Sequence, residues 1–140
     1  MTPVLPKCLA LVLCDAVRRK GKAGDPSVVR AFQEFDVASF PATTQPFSVW
    51  LQVTDGNGHT AMELRVEYVP PGKVEAHVVL AVAFGLHFRD PNEVVEHEAI
   101  FDGGIVLEES GRYRLRLTAD GTSIAHRYFT AQAPRRGAAP

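Results

Sequence analysis

Apolar residues recur at every second position over long stretches of this chain. Met62, Leu64, Val66 and Tyr68 alternate with Glu63, Arg65 and Glu67. Phe47, Val49, Leu51 and Val53 alternate with Ser48, Trp50, Gln52 and Thr54. Tyr113, Leu115 and Leu117 alternate with Arg112, Arg114 and Arg116. A period of two places one set on a dry face and the other on a wet face, so each stretch predicts a β-strand. Asp120-Gly121 supplies the two φ > 0 positions of a tight hairpin, and a return strand is expected from Thr122 to Ala131. This hairpin is expected to form the closing edge of a β-sandwich.

Two other stretches are apolar without alternation. Cys8–Cys14 predicts a strand buried on both faces or in a sandwich core, continuing through Asp15-Ala-Val17. Glu75–Phe84 reads as an interior strand, with Val78–Phe84 in the core. Ser27–Phe35 predicts a strand whose broken phase signals a bulge or a helical turn. Its core candidates are Val28, Phe32 and Phe35. Asp55-Gly-Asn-Gly58, Pro70-Pro71-Gly72, Arg89-Asp-Pro-Asn92 and Gly103-Gly104 punctuate the rest as turns. No repeat and no helix of useful length emerges. Seven to nine short strands between closely spaced turns predict an all-β sandwich of two antiparallel sheets. The domain is expected over residues 1–132, with a loose Pro/Arg tail at 133–140.

The chain has 140 residues, which suits one domain able to bury a core without staples. Its net charge of -1 supplies no global field for nucleic acid or an anionic membrane. Cys8 and Cys14 on one strand would stand roughly 20 Å apart, too far for a disulfide. Two reduced thiols and an N-terminus that does not read as a signal peptide lead to a cytoplasmic expectation.

The motifs that suggest chemistry fail on context. Gly56-Asn-Gly58-His-Thr-Ala61 fits a dinucleotide fingerprint, but that fingerprint must open a helix, and a strictly alternating segment follows. Asp55-Gly-Asn57 resembles a calcium loop, yet its twelfth position is Val66 rather than a glutamate. His59, His77, His87, His97 and His126 show no ligand spacing, so no metal or cofactor is expected. There is no G-x-S-x-G elbow, and Cys8 and Cys14 lie in apolar surroundings that suppress thiol reactivity. No catalytic residues are assigned.

The candidate interaction residues are Trp50, Gln52, Arg112, Arg114 and Arg116. Trp50 belongs to the wet phase of its strand, so it either lies under a loop or marks an interface. The three arginines share a face. They take an anionic partner or the carboxylates of another subunit, or they are neutralised by cross-strand acids such as Glu63 and Glu67 or those at 96 and 98. Arg18-Arg-Lys20 with Lys22 reads as a charged, exposed loop.

Ala10-Leu-Val-Leu-Cys-Asp-Ala-Val17, Phe35-Asp36 with Ser39-Phe-Pro41, and Gly111-Arg-Tyr-Arg-Leu with Ala119-Asp-Gly121 and Phe129 together resemble a family of uncharacterised bacterial proteins of about this length. The resemblance covers roughly Cys8 to Ala131. It implies an immunoglobulin-like sandwich and transfers no catalytic residue. The Pro- and Arg-bearing C-terminus departs from the family pattern. The function expected is a non-catalytic binding or assembly module, acting through a protein partner or self-association. The alternatives are a small-ligand domain for a sugar or anion, and a hydrolase with a dispersed site.

Overall fold

A computed structural model describes residues 5–19, 24–73 and 75–134. Among these the strands in chain order are β1 Lys7–Arg19, β2 Pro26–Ala31, β3 Glu34–Asp36, β4 Ala42–Thr43, β5 Phe47–Thr54 and β6 Gly58–Val69. They continue as β7 His77–Phe88, β8 Val95–Phe101, β9 Val106–Leu107, β10 Gly111–Ala119 and β11 Thr122–Gln132. A four-stranded sheet has the order β2-β1-β5-β8, and a five-stranded sheet has the order β3-β11-β10-β6-β7. β4 and β9 form a separate short ladder.

The alternating segments dictate the core. Val49, Leu51 and Val53 point inward from β5, Met62, Leu64 and Val66 from β6, and Tyr113, Leu115 and Leu117 from β10. All are buried, as burial of one face per sheet requires. At one end Phe35 bridges the layers. Its ring lies edge-on to Phe47 at 5.1 Å and to Phe129 at 5.5 Å, and Phe129 stacks on Tyr113 at 5.3 Å. The β10–β11 turn is as expected: Asp120 and Gly121 take φ of 47° and 84°. This is the double left-handed turn whose twist matches a hairpin.

Four features differ from the sequence expectation. The β10–β11 hairpin is an edge only in part: β10 is interior, between β11 and β6, and the short β3 pairs with the end of β11 at Thr130, Ala131 and Gln132, so among the described residues 122–129 stay at the margin. The opposite edge of the five-stranded sheet is β7, whose Val78 is 56% exposed, so Val78–Phe84 is not an interior strand throughout. An apolar run records desolvation of side chains but not whether the backbone has neighbours on both sides. The sheets are not wholly antiparallel, because β3 runs parallel to β11. The strand number exceeds nine because three two- or three-residue pieces, β3, β4 and β9, are too short to show a period. The broken phase near residue 30 is a backbone irregularity: Arg30 has φ 49°, and β2 gives way to β3 soon afterwards. Of the expected tail, residues 135–140 lie outside the described residues, as do Lys20 and Lys22.

Candidate functional site

The arginine ladder lies on the outer face of the five-stranded sheet. Glu67 stands opposite Arg114 across the β6–β10 ladder. The Arg114 Nε donates to Glu67 Oε1 at 2.8 Å, and the Arg116 Nε lies 3.1 Å from the same oxygen. Glu67 is only 5% exposed, so one buried carboxylate serves two guanidinium groups. That hydrogen bond holds the Arg114 guanidinium above its ordinary pKa. Arg112 turns the other way and sits over the Tyr128 ring at 3.6 Å. Arg65 pairs with Glu63. Arg116 nevertheless faces Arg65 in register, and its Nε makes no hydrogen bond of good geometry.

Trp50 lies on the outer side of the four-stranded sheet, between Val12 of β1 and Glu98 of β8. Trp50 as a whole is half-buried, and its indole Nε1 is buried without a hydrogen-bond partner among the described residues. Gln52 stands opposite Ala10 and opposite Glu96. Straight extension past Ala10 would carry Arg19 about 30 Å away. Arg19 instead forms an ion pair with Glu96. The end of β1 therefore bends back toward the face that carries Trp50 and Gln52. Cys14 and Ser48, on that same side, are buried, and the Ser48 hydroxyl donates to Glu98 at 2.7 Å. Burial pushes the Cys8 and Cys14 thiols up, away from the reactive thiolate.

The third surface was not singled out from the sequence. At the head of β7 a cleft of about 410 Å³ opens beside the free edge. Val78, Val79 and Val106 form its apolar walls, and the rings of Tyr68 and Tyr113 lie 5.1 Å apart at its base. Glu108, Glu109 and His77 supply its polar lining. Among the described residues, neither glutamate carboxylate has an ion-pair partner. Burial first, and the neighbouring Tyr68, Glu109 and Glu108 after it, push the Tyr113 phenol up, while its hydrogen bond to Glu109 acts in the opposite sense. The contributing segments lie near positions 68, 78, 107 and 113, so no local motif announces the cleft. The available signal was the Val78-Val79 doublet, which breaks alternation where a strand would turn one side outward.

Among the described residues, no three His, Cys, Asp or Glu side chains gather into a metal-holding group. No described helix is long and apolar enough to cross a membrane.

The two sheet orders, the parallel β3–β11 pairing and a buried Tyr113 at the start of β10, bonded back to the backbone four residues upstream, define an immunoglobulin-like β-sandwich. Residues 9–132 match a family described as "Family of unknown function (DUF6941)", and the chain belongs to that family. No curated protein sequence matches it. Among solved structures it is similar to a Pseudomonas fluorescens alkylpurine DNA glycosylase, AlkC, bound to DNA containing an abasic site analog. The identity is 12% and the TM-score 0.51, covering 91% of this chain and 30% of that one. An immunoglobulin-like protein from Pseudomonas aeruginosa is similar at 15% identity and a TM-score of 0.40, over 94% of this chain and 100% of its own. A β-D-glucoside glucohydrolase from Trichoderma reesei is similar at 8% identity and a TM-score of 0.46, over 91% of this chain and 19% of its own. At such identities likeness concerns the fold alone. The chain spans less than a third of the glycosylase and less than a fifth of the glucohydrolase.

Proposed function

We propose that the protein is a non-catalytic binding and assembly module that accepts a β-strand along the free edge of β7. The observation that carries this reading is the composition of that edge. β7 runs for 12 residues, His-Val-Val-Leu-Ala-Val-Ala-Phe-Gly-Leu-His-Phe, without proline, lysine, arginine or a carboxylate. Proteins that must stay unpaired blunt such edges with lysine, proline or a covering segment, because exposed N–H and C=O groups template another strand. β7 has none of the first two, and among the described residues the other sheet meets it at β8, with a His97–Phe84 stack at 4.1 Å. Main-chain pairing along such an edge is a general mode of recognition.

In the purified protein the occupant is a second copy, because an uncharged strand meets its own antiparallel image with no like-charge contact. Arg114 and Arg116 are engaged by Glu67, Arg112 lies over Tyr128, and Trp50 is half-buried, which leaves β7 as the stronger candidate. The two free cysteines support a cytoplasmic setting. Sedimentation velocity of the wild type and of Ala83→Lys tests the reading. Ala83 is exposed and stands opposite Glu63, so a lysine is accommodated in the monomer but blocks a paired edge. The wild type should gain mass with concentration while the variant stays monomeric. Identical, concentration-independent masses would contradict self-association.

A further inference from the structure

We propose that the cleft at the head of β7 receives the lysine or arginine side chain of an extended basic segment of another protein laid along that strand. The inference rests on the reading of β7 as a strand acceptor and names the chemistry of its partner. Val78 and Val79 belong both to the free edge and to the cleft wall, so an added strand would place side chains directly over the opening. The opening is apolar where a side-chain stem would lie: Val78 is 56% and Val106 54% exposed, an unusual display for two valines. At its rim, Glu108 and Glu109 are adjacent, exposed carboxylates with no ion-pair partner among the described residues.

An apolar stem ending in a cation is the side chain that suits both halves. The Tyr68 ring adds a face for a guanidinium or ammonium group. Its hydroxyl is held only by a long 3.4 Å hydrogen bond to the Ser110 carbonyl. A volume of about 410 Å³ accommodates one such side chain with water. An anion is disfavoured by the two carboxylates. A second copy is also a poor match here, since β7 contains neither lysine nor arginine.

The experiment uses two eight-residue peptides of alternating valine and threonine, one with a central arginine and one with citrulline, its neutral isostere. Affinity is measured by calorimetry on the wild type and on Glu108→Gln/Glu109→Gln. Amide hydrogen exchange over residues 77–88 is followed in parallel, at a protein concentration too low for self-association. The wild type should bind the arginine peptide about tenfold more tightly than the citrulline one, as a charge-assisted bond implies. The double variant should bind both alike, and β7 amides should slow with either peptide. Equal affinities in the wild type, or an arginine preference that survives in the double variant, would overturn the cleft assignment while protected β7 amides left the acceptor reading standing. Unprotected β7 amides with both peptides would overturn acceptance of such strands and the cleft assignment with it.

Discussion

The Tyr113 hydroxyl donates a 2.5 Å hydrogen bond to the backbone carbonyl oxygen of Glu109, four residues before it. The ring is buried between Tyr68 and Phe129, so this bond ties the start of β10 to the loop that rims the cleft. Tyr113→Phe keeps the ring and leaves a carbonyl unpaired. It should cost about 1–2 kcal/mol, read as a lower urea midpoint with an unchanged slope. No change in midpoint would mean that the corner is not a structural tie.

Glu67 is the second tie. Arg114 and Arg116 are 18% and 28% exposed, against 6% for the Glu67 side chain, so the pair is screened on one side only. Removing the acid in Glu67→Ala leaves two half-buried cations, of which Arg116 faces Arg65. The expected loss is about 1–3 kcal/mol, below the cost of breaking a fully buried pair because solvent reaches the arginines. A double-mutant cycle with Arg114→Ala should return a coupling of about 1 kcal/mol, and additive losses would show that the contact is idle.

His97 gives a pH dependence with a defined sign. Its ring stacks on Phe84, nearly parallel at 2°, and burial pushes its pKa below the ordinary 6.5, with Glu98 opposing. The unfolded chain therefore binds this proton first as pH falls. The stability contributed by neutral His97 is complete above pH 6.5 and is lost as pH drops through the lower folded value. The carboxyls of Asp15 and Glu93, held down by hydrogen bonds from Arg30 and Arg89, titrate in a more acidic range and do not obscure that window. The urea midpoint should fall on acidification from neutral pH. His97→Phe, which keeps the stack, should flatten the slope between neutral pH and the carboxylate range; an unaltered slope would remove His97 as its source.

Trp50 is the single tryptophan and reports on the bent end of β1 beside it. Arg19→Ala removes the ion pair to Glu96. The pair is partly exposed, so stability should change by less than about 1 kcal/mol, but acrylamide quenching of Trp50 should rise. Unchanged quenching would show that this end of β1 does not shield Trp50.

Much of the sandwich was legible in the sequence because burial writes itself as period two. Met62–Tyr68 and Tyr113–Leu117 are strands with the inward face that alternation assigns, and Asp120-Gly121 turns the chain as its residue types require. The neutralisation of Arg114 by Glu67 was legible as one of two readings, since cross-strand acids were visible but register was not. The edge position of β7 was not legible: Leu80, Val82 and Phe84 are half-buried by one sheet face, and a run of them looks the same whether or not another strand lies alongside. Nor was the bend of β1 toward the Trp50 face, which brings Arg19 to Glu96. The cleft joins residues far apart in the chain and left only the Val78-Val79 doublet as a trace.

The most direct test of the edge-acceptor account is amide hydrogen exchange across residues 77–88 as protein concentration is raised. The account predicts that amides on the open side of β7 slow with concentration in the wild type and stay fast in Ala83→Lys. Exchange along β7 that is the same at every concentration and in both proteins would contradict it.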